Sequence, residues 1–397
     1  MKSVNSLRYF LVGLWLVLGV SCSKDEGNNG GNNNQPDPQV IELTERFIIP
    51  SDNHIMPLAD NHRSDILKVF YAGGKEFHYY HVLTSAQHQY HLARFENDTW
   101  VNYVSSPNYM HFVASDQAIC QVEHTSPNSQ VDVIKTRFFD PNAETFSLYT
   151  EQTFQIKFWS VQLAATQSDF YLIGKRQDDG VAMLYKWNPG TQVWDLIIGS
   201  IPNGEEWSPV QQDVFRSKND EFIYKNTNNT GVNFYEFKDN QFTRIYRGGY
   251  DEIILMRGAR LHVINNDYLV AFDKLYRVGA GNTLSEYYAP EASWSILHSN
   301  VSGKWIIMSL GTYSWNGTTS VQKIVVINYL NGKTYELPAL VIFLGWDAWN
   351  LTNKYDVDKW HFRMNSENKL EGLIHFEYNG PVGQAKLYRV VYPVPFE

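Results

Sequence analysis

Four of the 12 histidines of this 397-residue chain lie between positions 78 and 91, in His78-Tyr79-Tyr80-His81 and His88-Gln89-Tyr90-His91. Imidazole and phenol at such density suit general acid–base work, because imidazole titrates near neutrality and a phenol can return a proton. Abstraction of a proton α to a uronate carboxylate is one such reaction, and His81, His88, Tyr80 and Tyr90 are the residues it would use. The plainer alternative, a solvated hairpin lined by polar and aromatic side chains, outweighs it. The spacing matches no zinc motif, so neither a metal nor a cofactor is expected. The sequence has no G-x-S-x-G elbow, H-E-x-x-H, P-loop, dinucleotide fingerprint or S-x-D-x-G-x-T-W box. Glu205, Glu206, Asp251, Asp347 and Glu377 are candidate carboxylates for glycoside hydrolysis, but nothing selects a pair. Tyr355-Asp356-Val357-Asp358 reads as a solvated loop before it reads as a calcium site.

A second set of residues recurs at wide spacing: His54 and His62, Tyr109, Trp159, Trp207, Tyr250, Trp294, and Trp346 with Trp349. Flat rings beside polar groups are a common way to hold sugars, since the ring covers a CH face while polar neighbours set orientation. Trp207 and Trp346 fall in longer loops and are the better ligand candidates; Trp349, Tyr109, Tyr250, His54 and His62 are further candidates. Trp159 and Trp294 begin strands and are expected to pack inside.

The elements that would position these residues are strands. Aromatics make up 15% of the chain, a composition that favours pleated, half-buried surfaces. Two-residue alternation bounded by Gly, Asn, Asp and Pro recurs throughout, and no long helical period follows Val20. A hairpin occurs seven times, over residues 66–83, 109–124, 159–175, 212–225, 253–264, 294–309 and 360–378. Each is followed by a second strand pair, clearest in Leu184-Tyr185-Lys186-Trp187-Asn188-Pro189-Gly190-Thr191-Gln192-Val193-Trp194. Seven four-stranded antiparallel units predict an all-β, seven-bladed propeller. Two β-sandwiches are the main alternative. Six or eight blades stay open, because the fifth unit is compressed and a long segment, 338–359, precedes the seventh. The last unit stops one strand short. Val40 to Ile49 alternates apolar and polar residues and is predicted to supply the missing outer strand, closing the ring.

Lys2 and Arg8 precede an apolar run from Tyr9 to Val20, too short to span a bilayer, and Gly19-Val20-Ser21 leads directly into Cys22. This is a secretory signal pattern. A cysteine at the cleavage point resembles a bacterial lipoprotein signal, although Gly19 stands where the lipobox usually has leucine. Ser23-Lys24-Asp25-Glu26-Gly27 resembles the acidic export signal of Bacteroidetes-type surface lipoproteins. The resemblance implies a signal peptide over 1–21, a lipidated Cys22 with a flexible linker over 22–39, and a propeller over 40–397. It also implies an outer-membrane protein, surface-exposed and held in the membrane by its N-terminal lipid, with an outer-membrane transport protein as a possible partner. Cys120 would be the one thiol left beside Cys22 and reads as a buried strand residue. With net charge -9, pI about 5.7 and no basic run beyond a dipeptide, nucleic acid is not an expected partner. Such lipoproteins commonly capture glycans, so binding of a poly- or oligosaccharide for uptake is the leading expectation, and the sequence leans away from catalysis. A polysaccharide lyase or glycoside hydrolase on the same face comes second, resembling propeller lyases at the level of fold alone. A scaffold for another outer-membrane protein comes third.

Overall fold

The computed structural model describes residues 39–42, 63–83, 88–96, 99–128, 130–201, 214–216, 222–228, 231–248, 260–291, 293–313, 318–338, 352–353, 361–378, 384–392 and 395–397. They form seven antiparallel sheets whose main strands follow chain order from inside to outside. Blade 1 comprises Arg63–Ala72, Lys75–Leu83, His88–Glu96 and Thr99–Ser106, and blade 2 His111–Ala114, Ile119–Thr125, Asp132–Asp140 and Thr150–Phe154. Blade 3 comprises Phe158–Ala165, Phe170–Arg176, Ala182–Asn188 and Val193–Ile198, and blade 4 Val214–Arg216, Phe222–Asn228, Gly231–Lys238 and Gln241–Gly248. Blade 5 comprises Arg260–Ile264, Asp267–Ala271, Leu275–Gly279 and Thr283–Tyr288, and blade 6 Ser295–Ser302, Trp305–Tyr313, Thr318–Asn328 and Thr334–Pro338. Blade 7 takes His361–Met364, Leu370–Tyr378 and Gln384–Val391 from the end of the chain and Gln39–Glu42 from its beginning. The architecture is the expected seven-bladed propeller. The closing strand pairs from Gln39 opposite Val391 to Glu42 opposite Tyr388; residues 43–49 lie outside the described residues.

Period-two alternation makes each blade bury both faces. In the second strand of blade 2, Ile119 joins a core with blade 1, while its neighbour Cys120 joins one with blade 3. Cys120 is fully buried as expected, and burial pushes its thiol pKa up. The outer strand pair carries a repeated irregularity. In blades 1, 3, 4 and 5 the register slips by one residue, leaving Tyr103, Ile197, Ile245 and Tyr287 without a partner on the third strand. All four are apolar or aromatic, and each packs on the core shared with the following blade. A bulge sharpens local twist and redirects one side chain, so these four fasten outer strands to the next blade.

Three boundaries differ from the sequence expectation. The hairpin of blade 5 spans Arg260–Ala271, not 253–264, and turns at Asn265 and Asn266, with φ of 49° and 64°. Two consecutive positive φ values are what a two-residue type I′ turn requires, and asparagine tolerates them. The outer strand of blade 2 is Thr150–Phe154, while Phe146 belongs to a two-residue strand, Thr145–Phe146, that pairs separately. The blade 6 hairpin, for which the sequence suggests a turn at Asn300-Val301-Ser302-Gly303, instead turns at Gly303-Lys304, between the paired residues Ser302 and Trp305.

Blades 7 and 1 meet through charge. Arg363 Nε lies 3.3 Å from Glu76 and its terminal nitrogen 2.8 Å from Glu371, while its guanidinium stacks over Tyr71 at 5.1 Å. Glu76 also pairs with His78 at 3.0 Å and accepts the Tyr71 hydroxyl at 3.0 Å. Burial opposes charge on Glu76, but the hydrogen bond and charge of His78, with Arg363 and Tyr71, outweigh it, and the carboxyl is held down at about 2 from 4.5.

Two outcomes are expected of this seam. Deleting Gln39–Glu42 leaves the third strand of blade 7 as an open edge, a template for association; melting and size-exclusion profiles should show a lower Tm and aggregation, and unchanged profiles would refute closure by this strand. A depressed folded-state pKa gives stability that is complete above pH 4.5 and drains as pH falls toward 2. Wild type should therefore lose on the order of 3 kcal/mol more than Glu76→Gln across that window, as read by denaturant titration.

Candidate ligand-binding face

Strands in a blade alternate in direction, so the start of each first strand and the end of each second strand come to the same face. Six of the seven ring-bearing candidates, His54, His62, Trp207, Tyr250, Trp346 and Trp349, lie outside the described residues, as does Cys22. Tyr109 is described. It sits two residues before the first strand of blade 2 and is 50% exposed. Its ring packs edge-on against Tyr90, Tyr79 and His111, with centroids 5.5, 6.0 and 5.0 Å away. Beneath it Tyr79 stacks on Tyr90 at 6.2 Å and accepts a hydrogen bond from the Met110 amide at 3.1 Å. Burial raises the pKa of Tyr109 and Tyr79, which keeps both phenols protonated. Tyr109 is therefore an exposed ring on a braced aromatic stack.

The histidine–tyrosine cluster of blade 1 is divided by its own sheet. Tyr80 pairs with His91, His81 with Tyr90, and Leu83 with His88. Period two puts Tyr90 on the face that meets blade 2 and Tyr80 on the other, where Glu76 reaches blade 7. Tyr80 is 1% exposed, stacks on His91 at 4.8 Å and donates its hydroxyl to Asn102 Oδ1 at 2.7 Å. Burial raises its pKa. His91 has its Nδ1 2.8 Å from Ser105 Oγ. The side chains of His81 and His88 lie outside the described residues. The structure thus separates Tyr80 from Tyr90, and Tyr80 is a structural member of the blade. Among the described residues no three His, Cys, Asp or Glu side chains converge as a metal site.

Sequence reasoning missed a second exposed ring. Trp159 is 52% exposed, whereas Trp294 packs as expected on the core of blades 5 and 6, with the Lys323 ammonium 5.0 Å over its ring. The cause is a bulge. In blade 3, Phe158 pairs with Arg176 and Ser160 with Lys175, leaving Trp159 as the extra residue. Phe158 turns inward and lies across Gly174, where an added Cβ would come within 2.4 Å of the phenyl ring. The Phe158 amide donates to Asp132 Oδ2 at 2.6 Å. Asp132, fully buried, also accepts from Ser126 at 2.5 Å and His124 Nε2 at 2.8 Å. Burial raises its pKa, but the three hydrogen bonds outweigh that and the carboxyl stays below its ordinary value. The adjacent pair Phe158-Trp159 was the available signal, because neighbours in a strand cannot both enter one inter-blade gap.

Tyr109 and Trp159 stand at the starts of blades 2 and 3 on one face, and His111 and His124 belong to blade 2. Two exposed rings with polar groups between them can stack on flat apolar ligand faces and orient them. A separate hollow of about 670 Å³ lies between blades 4 and 5; its Glu236 is already engaged by the Tyr268 hydroxyl and its Asn282 by the Arg247 backbone.

No family model matches the chain, and no curated protein matches its sequence. Among solved structures it is similar to a prolyl endopeptidase, with TM-score 0.50 and 12% identity over 84% of this chain and 50% of that one. The chain spans about half the length of that enzyme. It is also similar to the β-propeller domain of a trilobed protease from Pyrococcus furiosus (TM-score 0.48, 8% identity, 84% and 99% covered). An oligogalacturonate lyase from Vibrio parahaemolyticus gives TM-score 0.48 and 11% identity, with 91% and 98% covered. At these identities the likeness is one of fold.

Gly174→Ala tests how the rim is set. The Phe158 ring must move, so a loss of ~1–3 kcal/mol is expected, with a change in Trp159 fluorescence measured against a Trp159→Phe background. A variant as stable as wild type with the same emission would refute the packing argument.

Proposed function

We propose that this chain is a cell-surface lipoprotein whose propeller presents a glycan-binding rim for capture of poly- or oligosaccharide. The observation that carries the reading is the exposure of Tyr109 and Trp159, each about half open to solvent, at successive blades on one face. An exposed ring of this size is more than packing requires, since each has a buried aromatic partner or neighbour that already fills the gap between blades. Tyr79 does so beneath Tyr109, and Phe158 beside Trp159. The sequence adds the anchor: an apolar run too short to span a bilayer, ending at Cys22 and followed by a polar linker. An outer-membrane transport protein is a fitting partner for a captured glycan. The reading is of a binding module, because among the described residues the buried carboxylate beside Phe158, Asp132, has three donors that hold it as an ionised structural group.

Glycan binding is tested on an array followed by calorimetry. Tyr109→Ala and Trp159→Ala should each weaken binding about five-fold, the loss of ~1 kcal/mol of ring stacking, with melting curves unchanged. Normal binding by both variants would place the ligand elsewhere, and product formation on the same array would transfer the reading to catalysis. For the anchor, Cys22→Ala should shift the protein from the membrane to the soluble fraction, because acyl chains contribute about 0.8 kcal/mol per buried methylene. Retention of the variant in the membrane would refute lipidation.

A further inference from the structure

We propose that Asp132 is the positioning residue of the ligand rim: by accepting the Phe158 amide it selects the register in which Phe158 enters the core and Trp159 faces solvent. The inference rests on the glycan reading above and deepens it, since it names the group that makes the Trp159 ring available to a ligand.

Phe158 and Trp159 are adjacent aromatics at the start of one strand, so the chain offers two rings for one gap between blades 2 and 3. A slip of one residue exchanges the two faces of a strand. In the slipped register Trp159 would stand opposite Arg176, where Phe158 stands in the structure, and the indole would turn inward. Packing favours the observed register: the Phe158 ring meets Phe154 and Tyr185 edge-on, with centroids 5.2 and 6.1 Å away, and lies across Gly174. Burial of apolar area is non-directional, however, and discriminates weakly between two aromatic rings.

The hydrogen bonds supply the direction. The Phe158 amide donates to Asp132 Oδ2 at 2.6 Å, and the carbonyl before it, that of Lys157, accepts the Gln177 amide at 2.9 Å. Asp132 cannot follow a strand that slips, because it is fully buried and its carboxylate also takes His124 Nε2 at 2.8 Å and Ser126 Oγ at 2.5 Å, both from blade 2. Slippage would carry the Phe158 amide away from a carboxylate that stays where it is. An unmatched buried donor or acceptor costs more than an ordinary hydrogen bond contributes, so the carboxylate decides the register. Beyond the bulge the ladder resumes with Ser160 opposite Lys175, and the Trp159 backbone is held from both sides.

The experiment reads position and binding separately on the purified full chain. The chain has 12 tryptophans, so fluorotryptophan is incorporated and the Trp159 fluorine resonance is identified by its loss in Trp159→Phe; the shift of that resonance between light and heavy water reports exposure. Asp132→Ala should reduce the solvent shift, and Asp132→Asn, which keeps an acceptor for the Phe158 amide, should restore it. Phe158→Leu decides between anchor and packing without touching the carboxylate: with Asp132 in place Trp159 should stay exposed, and a Trp159 that turns inward would show that ring packing sets the register and overturn the proposal. Binding is then read on the glycan array described above, at a temperature where melting curves show each variant folded. Asp132→Ala should weaken binding about five-fold, as Trp159→Ala does, and adding it to Trp159→Ala should weaken binding no further, because two changes that act through one ring do not add. Additive losses, or an unmoved Trp159 resonance in Asp132→Ala, overturn the positioning role and leave the glycan reading standing. A wild-type chain that binds nothing on the array overturns the glycan reading, while the fluorine shifts still decide whether Asp132 sets the register.

Discussion

A propeller blade is apolar on both faces and has no core of its own, so the fold depends on every blade having a neighbour on each side, and the ring must close. At the join, blades 7 and 1 come from opposite ends of the chain, and the closing contact is a strand of four residues, Gln39–Glu42, hydrogen-bonded along Gln384–Val391. Backbone pairing satisfies groups that would otherwise be left at an edge. It cannot by itself fix the approach of blade 1. The Glu76–Arg363–Glu371 network does that, with a planar guanidinium bridging a carboxylate from each blade. Charged side chains suit a join because the pairing is directional, whereas apolar packing tolerates sliding. The end of the chain adds a second tie, since Phe396 is buried against Trp305 and Tyr335 of blade 6.

The remaining seams use smaller devices of the same kind. His262 Nε2 lies 2.8 Å from Ser299 Oγ between the inner strands of blades 5 and 6, and burial, with the charge of Arg260 beside it, pushes the imidazole down to about 3, keeping it neutral. Lys75 reaches from blade 1 to Glu144 and to the Pro141 carbonyl in blade 2. At the periphery, side-chain amides take the place of backbone. Gln152 both donates to and accepts from the Trp194 backbone, and Asn282 does the same with Arg247. These occupy outer-strand groups that would otherwise invite another chain.

What was legible in the sequence follows from what repeats. Seven hairpins, the alternation along each, the buried Cys120 and the spare strand at the beginning all express a period, and a period survives without knowledge of tertiary contacts. The Asn265-Asn266 turn escaped because neither residue is glycine, although φ at both is positive. The outer strand of blade 2 escaped because Phe146 imitates the aromatic that opens other outer strands. Trp159 escaped for a deeper reason. A bulge changes which face a residue occupies without changing composition, and it depends here on a glycine, Gly174, fifteen positions away across the hairpin. The histidine cluster misled in the opposite direction: proximity in sequence suggested one site, yet period two assigns Tyr80 and Tyr90 to different faces of the same sheet.

Asp132 shows how structure and ligand rim are joined. A buried carboxylate without partners would be neutralised or expelled, since desolvating the charge costs several kcal/mol. Three donors instead hold it ionised, and they come from two blades: Ser126 and His124 from blade 2, and the Phe158 amide from blade 3. The carboxylate therefore fixes where the inner strand of blade 3 begins, and one residue later the bulge releases Trp159 to solvent. Because all three contacts must persist for the charge to stay buried, Asp132 cannot act as a proton carrier without loosening the strand it anchors. Its chemistry lies in position. The bulge leaves the Trp159 ring half open to solvent, and the strand that carries it is held in place by a buried carboxylate.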